Sequence, residues 1–220
     1  NLKWLRERID EQVRFWRMEP VEMERSIFSG VPDGFRAMQS PGDFADRLQH
    51  IRVLAERGWN VSSGFIAGLP KQGPKEMMAN FHLGAELPLA GCSVSPFIPG
   101  DETPVSGAET AGIDMTVNAM AALRLMRPDW VIPSVSALNL AQPGEGYRRG
   151  LRAGANLVTI NMTPADLRQE YLLYKRERFI MTEERILEAI SAEGLAASTV
   201  SLAEHYRRRR DAAEKPRAMA

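Results

Sequence analysis

Short, dense apolar runs alternate along this chain with segments whose apolar residues recur every three or four positions. The runs Val13 to Glu19, Val61 to Leu69, Cys92 to Ile98, Trp130 to Leu138 and Asn156 to Met162 read as strands. Their density fits strands covered on both faces, as in parallel sheets. Between them, Pro41 to Arg57, Pro74 to Ala85, Met115 to Leu125 and Gly144 to Ala153 carry helical periodicity, with a further helix expected after Pro164. The first of these is the best marked: Ser40 serves as N-cap, Pro41 sits in the first turn, Phe44, Leu48, Ile51 and Leu54 share one face, and Gly58 stops it. Strict alternation predicts a parallel sheet with right-handed crossovers. Five such units fall short of the eight that close a barrel, so the fold class is α/β, a parallel β/α partial TIM barrel.

Past Ile180 the pattern turns purely helical. Thr182, Glu183 and Glu184 open a helix continued by Ile186, Ala189 and Ile190 and ended at Gly194. The division expected is a partial barrel over 1–180, a helical extension over 181–203, and a charged tail over 204–220 that frays or is disordered. The chain opens at Asn1 directly into a helical pattern (Leu2, Leu5, Ile9) and a strand, which reads as a chain cut within a larger fold. On that reading Val13 to Glu19 is an open parallel edge, which invites association with a separate N-terminal half or with a second copy.

Composition narrows the function classes. With 220 residues and 44% hydrophobic content, the chain can bury one sizeable core. Lys+Arg 28 against Asp+Glu 28 leaves no overall basic field for nucleic acid. The run Arg207 to Arg210 reads as a solvated helix end, or as a contact for an acidic partner. No apolar run reaches membrane-spanning length and no signal peptide is evident, so a cytoplasmic location and no membrane partner are expected. One cysteine, Cys92, excludes an internal disulfide and cannot alone hold zinc or an iron-sulfur cluster; it reads as a small buried hydrophobe. His50, His82 and His205 lack ligand spacing, so the chain itself offers no metal site and no catalytic residue stands out.

Candidate chemistry collects at strand ends. Gly64-Phe65-Ile66-Ala67-Gly68-Leu69-Pro70-Lys71-Gln72 runs a strand into a turn whose glycines would let a ligand lie against main chain. Arg17 and Glu19 are two apart and share a face, where charge demands a polar ligand or a mutual pair. Arg47 could grip a carboxylate with two parallel bonds or simply face solvent. Ser136, Asn161 and Thr163 bring hydroxyls and an amide to strand ends, suited to polar substrate atoms or to helix capping. The long connection from Pro20 to Gly42 is of the kind that covers a site.

Taken in order, Arg17-Met18-Glu19, Asp46-Arg47-Leu48, Gly64 to Gln72, Pro96-Phe97-Ile98-Pro99 with Thr103-Pro104, Ile132-Pro133, Gly154-Ala155-Asn156 and Asn161 to Pro164 resemble the biotin-synthase-like radical S-adenosylmethionine enzymes. The likeness is to the branch with the iron-iron hydrogenase maturase and methylornithine synthase, from about Arg17 to Tyr174. It implies two cofactors, S-adenosylmethionine and a [4Fe-4S] cluster, and a 5′-deoxyadenosyl radical that abstracts hydrogen from a small amino-acid-like substrate. By matching motif, Glu19 and Arg47 would hold the amino-acid end of S-adenosylmethionine, and Phe65, Ile66, Gly68 and Leu69 would line its adenosine. Arg17, Ser134, Val135, Ser136 and Thr163 would face the substrate. The family's C-x-x-x-C-x-x-C loop is absent, so this chain corresponds to the C-terminal half of the barrel, with cluster ligands expected in a preceding half. Val135 stands where hydroxyl residues are usual, and Lys71 where glycine is frequent. Two other classes fit the same residues: a non-catalytic half-barrel that binds a small molecule or acts as scaffold, and a barrel enzyme for a phosphorylated metabolite. Met162-Thr163-Pro164-Ala165 matches a phosphate loop poorly.

Overall fold

The computed structural model describes residues 44–100, 105–160 and 182–214. The first expected strand, Arg17, Glu19, Thr103, Pro104, Asn161 and Thr163 lie outside them. The chain enters through helix α1 (Phe44–Glu56) and alternates from there: β1 (Ser62–Ala67), α2 (Pro74–Glu86), β2 (Gly91–Pro96), α3 (Ile113–Met126), β3 (Pro133–Ser134), α4 (Ser136–Ala141), α5 (Gly146–Arg152) and β4 (Leu157–Val158). Helices α6 (Glu183–Ala192) and α7 (Leu202–Glu214) complete the described residues.

Four strands lie parallel and in chain order. β1 pairs with β2 in the register Ser62↔Gly91 to Ala67↔Pro96, and β3 pairs with β4 as Pro133↔Leu157 and Ser134↔Val158. A parallel bridge, Gly91↔Val131, joins the two pairs, with Cys92 N–H donating to Val131 O at 3.0 Å. The result is a mixed α/β fold built on short parallel strand pairs.

The strand expected over Trp130 to Leu138 ends at Ser134, and Ser136 already begins α4. Alternation explains the misreading: Ala137 and Leu138 are fully buried in either conformation, so the apolar signal cannot tell strand from helix over so short a run. Likewise the stretch from Glu204, read as a fraying tail, belongs to helix α7 as far as Glu214; Glu204 pairs with Arg207 and Arg208 at 2.7 Å, one turn along.

The core lies between the strands and their helices, and period-two alternation decides which side chains enter it. Phe65, Ala67, Cys92, Val94, Trp130 and Ile132 face the helices, joined by Met77, Met120 and Leu123 from α2 and α3. Leu48 and Ile51 of α1 pack on this core as the helical periodicity predicts. The ring of Trp130 lies under Gly84 of α2 and its indole N–H donates to Leu89 O at 2.9 Å, tying α2 to the start of β3. The opposite face of β1 and β2 carries Ser62, Gly64, Ile66, Ser93 and Ser95, a set mostly small and uncharged.

Helix ends follow local chemistry. Gly58 takes φ 84 after α1; its N–H donates to Ala55 O at 2.9 Å and that of Trp59 to Leu54 O at 3.1 Å, the paired bonds of a left-handed helix stop. On α5, Gly146 and Gly150 face α4 and β3, where a Cβ at Gly146 would stand 2.2 Å from Leu138 O. Helix and strand backbones therefore approach more closely there than any larger residue permits.

Candidate functional site

Because the strands are parallel, their C-terminal ends open on one side. β1 leaves into the Gly68 turn, β2 into Phe97–Gly100, β3 into Val135 and β4 into Thr159. The first two are strapped together: Phe97 N–H donates to Ala67 O at 2.9 Å, and Ala111 N–H donates to Phe97 O at 2.9 Å. Phe97, Ile98 and Pro99 are buried, so the proline-rich segment is part of the framework.

The turn after β1 is closed by one side chain. Gln72 Oε1 accepts from Gly68 N at 2.6 Å and Leu69 N at 3.3 Å, while its Nε2 donates to Ile66 O at 2.9 Å. Gly68 holds φ 84 and Lys71 φ 67, both left-handed. Just beyond, Glu76 Oε2 accepts from Gly73 N at 2.8 Å, capping α2 and anchoring the turn to it.

The glycines of this stretch serve packing within the protein. A Cβ on Gly64 would stand 2.2 Å from Ser93 Oγ and 2.4 Å from Ser93 O; one on Gly68 would stand 2.3 Å from the Ala111 methyl. The space expected for a ligand is thus filled by β2 and by the segment leading to α3. Phe65 is also turned to the helices, 3% exposed and edge-on to Phe81 at 5.7 Å between centroids. Ile66, on the other face, and Leu69 remain half-buried and present carbon surface at the strand end.

At β3 the three neighbours part. Ser134 is fully buried beneath Gly150, and its hydroxyl donates to Tyr147 O at 3.2 Å, so it belongs to the packing of α5 and not to the open side. Val135 is the N-cap residue of α4 and supplies no capping side chain; Ser136 is the exposed first helical residue. Arg47 is half-buried on α1, one turn ahead of Ile51.

Three side chains shape these ends: Asn156, from the Gly154-Ala155-Asn156 motif, and Arg124 and Tyr147, which no motif marks. Asn156 extends the β3–β4 pairing through its amide, accepting from Ile132 N at 2.8 Å and donating to Trp130 O at 3.2 Å. Arg124 gathers three carbonyls, Gly154 at 2.9 Å and Pro128 and Trp130 at 2.8 Å, and burial pulls its pKa down. Tyr147, 1% exposed, donates its hydroxyl to Thr159 O at 2.9 Å, fixing the exit of β4; burial raises its pKa. Arg124 and Asn156 are polar groups set among apolar residues, a signal that a buried bonding partner exists but not which one.

Cys92 is 2% exposed in the core, and burial pushes its thiol up to about 12, so it stays protonated and is no thiolate ligand. Among the described residues no three His, Cys, Asp or Glu side chains gather as a metal site, and no helix is long and apolar enough to cross a membrane. A cavity of about 280 Å³ opens among α4, α5 and α6, lined by Asn139, Arg148, Arg185 and Glu188 among others. None of the strand-end residues lines it.

No protein-family model matches the chain. Over 139 residues it is 31% identical to the "[FeFe] hydrogenase maturase subunit HydE" of Thermotoga maritima, a match covering 63% of this chain and 40% of that protein. The chain is thus similar to two fifths of that maturase subunit.

Proposed function

We propose that this chain forms the S-adenosylmethionine- and substrate-facing part of a radical S-adenosylmethionine enzyme of the biotin-synthase-like family, on a partial parallel β/α barrel. The observation that carries this reading is the 31% identity to the maturase subunit HydE. The strand-end geometry supports it: parallel strands open on one side, with carbon surface at Ile66 and Leu69 beside the strapped Phe97 segment.

In this reading Ile66 and Leu69 lie against the adenosine, Gly68 lets the turn close on Ala111, and Phe65 stiffens the strand from behind. Arg47 pairs with the methionine carboxylate and Glu19 with its ammonium, opposite charges meeting in each case. Arg17, Val135, Ser136 and Thr163 face a small amino-acid-like substrate, with Ser134 holding β3 to α5. When bound, S-adenosylmethionine would supply, on one-electron reductive cleavage by a reductant outside these residues, a 5′-deoxyadenosyl group able to take a hydrogen atom from that substrate. A [4Fe-4S] cluster does not fit the residues of this chain: its one cysteine is a core thiol held protonated. Cluster ligation therefore falls to residues other than these.

The test is the protein produced from its whole reading frame, reconstituted without oxygen with iron and sulfide and given S-adenosylmethionine and dithionite. Formation of 5′-deoxyadenosine is expected. Retention of S-adenosylmethionine with no cluster absorbance and no cleavage would replace the enzyme by a binding scaffold.

A further inference from the structure

We infer that Gln72 is a positioning residue that sets the shape and the chemistry of the ligand-facing turn at the end of β1. The inference rests on the S-adenosylmethionine reading above and deepens it. Two residues of the turn, Gly68 at φ 84 and Lys71 at φ 67, occupy left-handed backbone that a free segment would readily leave. Ordering such residues costs backbone entropy, so something must hold the turn before a ligand arrives. The Gln72 amide does so. It accepts from Gly68 N and Leu69 N and donates to Ile66 O, while the backbone N–H of Gln72 donates to Leu69 O at 2.9 Å. On the other side the Ala111 methyl fills the space a Cβ would take on Gly68.

This bracket also decides what the turn can bind. A phosphate loop points several free backbone N–H groups at its anion. Here the N–H groups of Gly68 and Leu69 are turned inward and spent on Gln72, and the surface left facing outward is the carbon of Ile66 and Leu69. Such a surface suits the uncharged flat face of a nucleoside and offers nothing to a phosphate. Pre-forming it removes an ordering cost that the ligand would otherwise carry.

The experiment measures equilibrium binding of S-adenosylmethionine and of 5′-deoxyadenosine to the wild-type protein, Q72A and Q72E. Q72A is expected to weaken both ligands by the same factor, at least tenfold, because the loss sits at the nucleoside. Q72E is expected to weaken both ligands as well, since a carboxylate still accepts from both N–H groups but turns a second acceptor oxygen onto Ile66 O in place of the Nε2 donor. Wild-type affinity in Q72A or in Q72E, or a loss confined to S-adenosylmethionine, would overturn the inference. In ligand-free wild type, the Gly68 and Leu69 amides should exchange slowly with solvent. Exchange as fast as an open loop would overturn it even if Q72A failed to fold. Slow amides in a protein that binds neither ligand would instead sink the S-adenosylmethionine reading and leave the bracket standing.

Discussion

Lys71 carries a strained backbone angle, φ 67, at the position where the resembling family often has glycine. A side chain in that region crowds its own carbonyl and costs roughly 1–2 kcal/mol, while glycine there gives back part of the gain through a freer unfolded chain. Lys71→Gly should therefore stabilise the protein by about 0.5–1 kcal/mol in urea unfolding, without changing nucleoside affinity; unchanged or lower stability would show that the turn does not hold this conformation. The sequence marks Gly64 and Gly68 as places of close approach, and they are. What approaches is Ser93 and Ala111, because glycine reports missing volume and says nothing of who fills it. Ser134 teaches the same limit. A buried hydroxyl beside a strand end reads equally as a substrate contact or as a bond to a neighbouring helix, and only the path of α5 through Gly150 decides for the helix.

Elements were legible where periodicity ran long. α1, α2 and α3 lie where three-and-four spacing puts them, and β1 and β2 differ from expectation only at their ends. β3 and α4 were read as one strand because Ser134, Ala137 and Leu138 are all buried and so short an apolar run does not separate the two periods. The docking of α6 could not be read at all, since it rests on charges distant in sequence. Glu193 accepts from Arg148 Nε and Arg152 Nε, each at 2.6 Å, while Ile186 covers Tyr147. Its carboxyl is held below the usual carboxylate range, chiefly by the hydrogen bond from Arg152 and also by that from Arg148. A depressed folded value means that the stabilisation is present above the unfolded pKa of 4.5 and is lost as pH falls through the folded one. Glu193→Gln should thus lower the melting temperature near neutral pH, with the gap to wild type closing as pH falls below 4.5 and through the lowered folded value. A gap that persisted in acid would mean that the ion pairs do not dock α6.

At the scale of the molecule, the described parallel strand pairs gather their C-terminal ends on one side. The described residues supply a closed apolar turn, a strapped β2 exit and a pinned β4 exit, and each is held by bonds among the protein's own groups. The cavity among α4, α5 and α6 is the contrasting location, rimmed by Arg148, Arg185 and Glu188. The central claim is that the turn after β1 forms the adenosine wall of an S-adenosylmethionine site. Irradiation of the protein with 8-azido-S-adenosylmethionine, followed by trypsin and mass spectrometry, locates the adenine directly. The account predicts an adduct on the peptide Gly58 to Lys71, abolished by excess S-adenosylmethionine. Saturable labelling of peptides from α5 or α6, with none on that turn, would contradict it.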